Sequence, residues 1–145
     1  MRSIRSLLVV AATILSLFIL VPSVAASSPR SGDLHVTKEC SAYSGLAGSY
    51  CTITSSNLKA ITVGSKVVYA SPAGATSLDS DVVLDVGPGN AAFGHCYLDF
   101  GTGLGLCTFS GGTGKFTLFQ ATADVSYLGG PNWAWDGTYA FVPRT

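Results

Sequence analysis

The chain has 145 residues, about the length of one domain, and its eight Lys or Arg balance eight Asp or Glu to a formal net charge of zero. Without the two arginines of its N-terminal segment it keeps six basic and eight acidic residues, a net charge of about −2. No basic patch is then available to displace the counterions of phosphates, so we expect no nucleic-acid partner.

Residues 1–26 are predicted to be a secretory signal peptide. Two arginines precede an uncharged apolar run over residues 7–21, and small residues follow at a cleavage site over residues 24–26. A transmembrane helix is the competing interpretation, because the run and its neighbours approach the roughly 18 to 20 residues that span a bilayer. Pro22 and the N-terminal position favour cleavage. We therefore expect a secreted or periplasmic protein that does not contact the membrane once the signal is removed.

Residues 27–33 are polar and are predicted to be a flexible lead-in. Residues 34–145 are predicted to form one β-barrel domain. The mature chain is rich in Gly, Ser, Thr and aromatic residues, a composition typical of all-β proteins with many tight turns.

Alternation of apolar and polar residues predicts a first hairpin over residues 34–42 and 49–54. One side of its first strand carries Leu34, Val36 and Lys38. Residues 55–66 combine helix-capping serines with β-branched residues, so we predict a loop with at most a short turn of helix. Residues 67–71 are predicted to be a short strand.

The middle of the chain is predicted to be a strand over residues 81–86, a Gly-Pro-Gly-Asn turn and a long hairpin. In this hairpin a two-residue loop at Gly101 and Thr102 places Cys96 opposite Cys107. Gly101 is expected to supply the positive φ of a type II′ turn.

Residues 115–127 form the longest alternating run and are predicted to be one strand. Its core side carries Phe119, Ala121, Ala123, Val125 and Tyr127. The final strand, residues 133–142, is expected to direct Trp135 into the core. Roughly eight strands in up-and-down order, joined by short turns, predict an all-β fold with a single closed antiparallel barrel, which leaves no exposed edge strand.

All four cysteines follow the signal peptide, and an even number in an exported chain implies disulfides. Three pairings are possible. Cys40 and Cys51 repeat the eleven-residue separation of Cys96 and Cys107, which favours two local bridges. A zinc site would normally show more closely spaced ligands, so no metal or cofactor is predicted.

Residues 107–127, CTFSGGTGKFTLFQATADVSY, resemble the glycine turn and following long strand of the allene oxide cyclase and dirigent barrel superfamily. The mature chain also resembles small uncharacterised bacterial secreted proteins that end in GGPNWAWDGTY. The first resemblance implies an eight-stranded barrel with an interior cavity. No catalytic carboxylate or tyrosine of the cyclase or dirigent proteins matches a position in this chain, so no catalytic residue is predicted.

A candidate ligand-binding set comprises His95, Tyr97 and Asp99, which alternation places on one face of a strand. A histidine and a carboxylate can do acid–base work inside a barrel. Residues two apart on a strand are separated by roughly 6.5 to 7 Å, however, so His95 and Asp99 lie too far apart for a tight dyad. The alternative is a polar outer wall with Tyr97 at the rim.

The leading functional hypothesis is a secreted, disulfide-stabilised barrel that binds a small apolar ligand or a partner without catalysis. One alternative is an isomerase or cyclase-type, or dirigent-like, barrel that acts by positioning its substrate. The other is a structural protein of the cell envelope. An apolar cavity with one open mouth favours the first two, and a filled interior favours the third. The oligomeric state is left open.

Overall fold

The structure, a computed structural model, describes residues 30–142. Its elements are β1 Ser31–Glu39, β2 Tyr50–Ser56, β3 Lys66–Tyr69, β4 Ser77–Asp85, β5 Ala91–Asp99, β6 Leu104–Thr113, the 3₁₀ helix Gly114–Phe116, β7 Phe119–Gly129 and β8 Asn132–Phe141. Within these residues no helix has the length and apolar character needed to cross a membrane. The predicted signal peptide lies outside the described residues.

The eight strands form a closed antiparallel barrel in up-and-down order, as predicted. Each strand pairs with the next along the chain, and β8 closes the barrel by pairing with β1 from Ala140 opposite Ser31 to Asn132 opposite Glu39. Closure satisfies the backbone donors and acceptors that an edge strand would leave unpaired.

The connecting loops fall into two groups because successive strands run in opposite directions. The loops β1–β2, β3–β4, β5–β6 and β7–β8 lie at one end of the barrel, here the mouth end. The loops β2–β3, β4–β5 and β6–β7 lie at the opposite end, here the base end.

Aromatic rings fill the barrel toward the base end. Phe109 lies with its ring centroid 5.4 Å from that of Trp135, and Phe116 lies 5.2 Å from Phe119 in an edge-on contact. All four side chains are buried, and Phe116 of the 3₁₀ helix is fully enclosed. The predicted inward direction of Trp135 is therefore confirmed, and the base end is closed by packed rings.

The predicted register of the β5–β6 hairpin is confirmed, but the predicted turn is wrong. Cys96 pairs with Cys107, and the loop between the strands comprises four residues, 100–103. The positive φ of 68° belongs to Gly103 and not to Gly101. Asp99 explains the longer loop, because its carboxylate accepts hydrogen bonds from the backbone N–H groups of Gly101 at 2.7 Å and Thr102 at 3.3 Å.

Several strand boundaries also differ from the predictions. In the middle of the chain, β4 begins at Ser77 and not at residue 81, because residues 77–80 pair with β5. β1 begins at Ser31, inside the predicted lead-in, because its first residues pair with β8 through backbone groups that need no apolar side chain. β1 ends at Glu39 rather than at residue 42. β7 begins only at Phe119, because the chain turns through the 3₁₀ helix to bury Phe116.

Tyr127 is the one residue of the predicted core side of β7 that is not buried. It is 50% exposed, whereas the other four are buried. Tyr127 lies at the mouth end of β7, beside a register shift before Gly129, where its hydroxyl donates to the carbonyl of Gly130 at 2.9 Å. Its ring contacts Trp133 at a centroid distance of 4.8 Å.

Both predicted disulfides, Cys40–Cys51 and Cys96–Cys107, are present, and no cysteine is left free. The first joins β2 to the residue that follows β1, and the second joins β5 to β6. Cys51, Cys96 and Cys107 belong to the core, and Cys40 packs against it. Two structural disulfides are compatible with an oxidising compartment.

Peptide mapping under non-reducing conditions is expected to recover Cys40 linked to Cys51 and Cys96 linked to Cys107. Each bridge joins residues 11 apart. In the chain-entropy model a loop of this size contributes roughly 3 kcal/mol, so reduction should lower the free energy of unfolding by about that amount per bridge, measured by urea denaturation. A peptide joining Cys40 to Cys96 or Cys107 would contradict the hairpin register.

Candidate functional site

The predicted set His95, Tyr97 and Asp99 lies on the outer wall of the barrel. The three side chains share the outward face of β5, and Tyr97 is 47% exposed. They do not converge on one point, because Asp99 binds the backbone of the β5–β6 turn and His95 reaches sideways to β4. The three residues therefore share one face of β5, but their side chains do not form one site.

The imidazole of His95 bridges two carboxylates of β4. Its Nδ1 lies 2.9 Å from Asp81 Oδ1 and its Nε2 lies 2.5 Å from Asp79 Oδ1. These hydrogen bonds, from Asp81 first and then Asp79, raise the pKa of His95. The imidazolium can donate to both carboxylates at once, but the group is half exposed, so the arrangement is an exposed clamp between two strands. Within residues 30–142 no group of three or more His, Cys, Asp or Glu is placed to hold a metal ion.

A different polar group lies inside the barrel. Leu34, Val36 and Lys38 lie on one side of β1, as predicted; that side faces inward, and Lys38 is only 4% exposed. Its Nζ donates a hydrogen bond to the Tyr69 hydroxyl at 2.5 Å. It also lies 4.6 Å from the ring centroid of Trp135 and 5.3 Å from that of Tyr69. The amine is therefore held between aromatic faces.

Burial governs the protonation of Lys38. Desolvation lowers its pKa to about 7, because the charged form loses its hydration and gains only one hydrogen bond and two ring faces. Among the described residues, no carboxylate lies within 4.0 Å of the ammonium. A buried amine without a counter-ion is costly, and such groups are concentrated at functional sites.

Two tyrosines accompany this lysine. Tyr43, from the β1–β2 loop, meets the Tyr69 ring edge-on at a centroid distance of 5.2 Å. Burial raises the pKa of Tyr69, with a smaller contribution from Tyr43, and burial raises the pKa of Tyr43 as well. The Tyr43 hydroxyl is buried and has no hydrogen-bond partner among residues 30–142. Lys38, Tyr43 and Tyr69 are called the lysine cluster below.

A cavity of about 90 Å³ adjoins the lysine cluster at the mouth end. Its wall includes Tyr43 and Tyr69 together with Cys40, Cys51, Leu78, Leu98, Phe100 and Trp133. Lys38 is not part of this wall, but its Nζ donates to the hydroxyl of Tyr69, which is part of it. The wall is apolar except for the two phenol groups. This space is called the mouth cavity.

A shallow depression of about 480 Å³ lies next to the mouth cavity on the surface of the mouth end. The two spaces share Cys40, Phe100 and Trp133, and Tyr127 extends the aromatic wall of the depression. This surface is called the aromatic depression. A molecule can therefore contact exposed rings first and extend its end into the mouth cavity, while the base end is closed by Phe116.

The lysine cluster was not predicted as a site, although Lys38 was predicted on the same side as Leu34 and Val36. A lysine that continues an apolar series is the sequence pattern that could have identified it. Tyr43 and Tyr69 carry no such pattern, because one lies in a loop and the other ends a four-residue strand. Tyr69 meets Lys38, and Tyr43 meets Tyr69, only when the barrel closes.

Comparison with known proteins gives no further constraint, since no family model, no curated protein and no solved structure matches the chain. The resemblance to the allene oxide cyclase and dirigent superfamily stays a prediction.

Proposed function

We propose that the protein binds a small amphipathic molecule at the mouth end of the barrel and releases it unchanged. One observation carries this proposal: an apolar cavity lies beneath an aromatic depression at one end, whereas packed rings close the other end. Small-molecule sites are typically concave, mainly apolar and supplied with a few polar groups.

The sizes of the two spaces define how a ligand would lie. The mouth cavity, at about 90 Å³, equals the volume of roughly three liquid waters and accepts only the end of a molecule. The aromatic depression, at about 480 Å³, is large enough for the remainder. Contact with Trp133, Tyr127 and Phe100 would remove apolar surface from water at roughly 25 cal/mol per Å².

A secreted or periplasmic location agrees with this proposal. Two disulfides suit an oxidising compartment, and the N-terminal 26 residues have the pattern of a signal peptide. A carrier or sensor of small molecules in that compartment needs a stable barrel and no turnover.

The lysine cluster is the observation that favours the alternative, an isomerase or cyclase-type barrel. Catalysis by positioning would require the reacting atoms to be enclosed over polar groups. The mouth cavity is too small to enclose a substrate, and only the two phenol groups reach its wall. A purely structural barrel would have no reason to keep an uncompensated lysine beneath a cavity. Binding is therefore the function that we propose.

Binding is expected to be measurable with the neutral fluorophore N-phenyl-1-naphthylamine, whose emission rises in apolar sites. The parent should show saturable binding, and Trp133→Ala should weaken it about tenfold, because a ring contact with its buried area is worth roughly 1.4 kcal/mol. Tyr127→Ala, at an exposed ring of the depression, should weaken binding by a smaller factor.

The matched control is Leu104→Ala, which removes an exposed apolar side chain from the outer wall of β6. This variant should bind like the parent. Equal losses in Leu104→Ala and Trp133→Ala, or no saturable binding by the parent, would disprove a ligand site at the mouth end.

A further inference from the structure

The mouth cavity offers hydrogen-bond donors and no side-chain acceptor to match them. The Tyr69 oxygen accepts from Lys38, so its own hydrogen is left for another acceptor, and none is found among the described residues. The Tyr43 hydroxyl is buried without a partner. Burial keeps both phenols protonated at neutral pH, since it raises the pKa of each. Both phenols are therefore available to donate.

The charge behind these donors is positive below the pKa of Lys38, which is about 7. The Lys38 ammonium lies directly behind Tyr69, to which it donates. The uncharged rings of Trp135 and Tyr69 pack against it, and Trp133 lies opposite it in the β1–β8 register. Tyr69 is the titratable group in contact with it, and Tyr43 lies against the Tyr69 ring. An anion bound at the Tyr69 hydroxyl would supply the counter-charge that this part of the chain lacks. In a site of low dielectric such attraction is strong.

The rest of the cavity wall determines which kind of molecule can carry the anionic group. Leu78, Leu98 and Phe100 add apolar surface to the wall that contains the phenols. A space of roughly three water volumes accepts a carboxyl group and one or two carbons, and the chain then continues into the aromatic depression. A phosphate or sulfate ester would present more charged oxygens than the two donors can satisfy.

We propose that the ligand is a small organic acid, whose carboxylate enters the mouth cavity, accepts hydrogen bonds from the Tyr43 and Tyr69 hydroxyls and is balanced by the Lys38 ammonium. This inference rests on the proposed function and names the chemical class of its ligand. The apolar part of the acid contacts Trp133 and Tyr127 at the surface.

The test compares 4-phenylbutyrate with 4-phenylbutan-1-ol, a neutral molecule with the same ring and chain, by isothermal titration at pH 6, where Lys38 is protonated and the acid is ionised. The acid should bind at least about tenfold more tightly, because hydrogen bonds to a charged acceptor are roughly twice as strong as neutral ones. Lys38→Met should bring the two affinities to within about twofold. Tyr43→Phe should weaken the acid about three- to tenfold and the alcohol less.

The outcomes separate this inference from the proposed function. Equal affinities for acid and alcohol in the parent, or an unchanged preference in Lys38→Met, would overturn the organic-acid assignment and leave the ligand site intact. If neither molecule binds while N-phenyl-1-naphthylamine does, the acid assignment alone fails. If the fluorophore also fails to bind, both proposals fail. Melting curves of each variant establish that it is folded.

Discussion

Lys38→Met is expected to stabilise the protein at pH 6 and to remove most of the stability that the parent gains between pH 7 and 9.5. Replacing a buried, poorly compensated charge with an apolar side chain of similar length typically stabilises by about 1 to 4 kcal/mol. Part of the gain is offset, because the hydrogen bond to Tyr69 and the ring contacts of the ammonium are lost. A net gain of roughly 1 to 3 kcal/mol at pH 6 follows.

The sign of the pH dependence comes from the lowered pKa of Lys38. Folding shifts this pKa from 10.5 to about 7, so between these values the unfolded chain holds more protons than the folded one. Stability then rises with pH, at about 1.4 kcal/mol per unit, and the parent should gain roughly 3 kcal/mol from pH 7 to 9.5. Tyr69 and Tyr43 act in the opposite direction only above about pH 10, because burial raises their pKa values.

Urea denaturation of the parent and of Lys38→Met across pH 6 to 9.5 measures both effects. Lys115→Met is the matched control, because Lys115 is exposed within the 3₁₀ helix at the base end. It should follow the pH profile of the parent. A parent whose stability is constant from pH 7 to 9.5 would show that Lys38 keeps its charge when folded and that the interior around it is hydrated.

The barrel could be predicted because its determinants are local. A period of two places every second side chain on the inner wall, so Val36 and Lys38, or Ala121 and Ala123, could be assigned to one side before any tertiary contact was known. The repeated eleven-residue cysteine spacing then restricted the register of two hairpins.

The candidate site could not be predicted in the same way, because it depends on closure. Tyr69 is 31 residues from Lys38, and β1 and β3 are not paired in the sheet, so their contact crosses the interior. Alternation also assigned His95, Tyr97 and Asp99 to one face without stating whether that face is inside. Alternation was also misleading around Phe116. The alternating pattern predicted a strand there, but the chain forms a 3₁₀ helix in which the Phe116 ring is buried.

Trp135→Ala is expected to cause the largest loss of stability of the substitutions considered for this barrel. Its side chain is 1% exposed, and it contacts Phe109 on the base side and the Lys38 ammonium on the mouth side. Truncating a buried tryptophan to alanine typically costs about 3 to 5 kcal/mol, a large part of the roughly 5 to 15 kcal/mol that stabilises a domain. The lost stability should include the contact between the indole ring and the Lys38 ammonium.

Two further substitutions serve as controls for this prediction. Thr138→Ala, on the exposed face of the same strand, should change the free energy of unfolding by less than about 0.5 kcal/mol. Trp135→Phe keeps a ring and removes the indole N–H, which is buried without a partner among the described residues, so part of its packing loss is offset. Urea denaturation should therefore rank Thr138→Ala above Trp135→Phe and Trp135→Ala last. Trp135→Ala could instead unfold like the parent and bind N-phenyl-1-naphthylamine less tightly. The indole would then belong to the ligand site, and the packed interior would end nearer the base than the contact between Phe109 and Trp135 indicates.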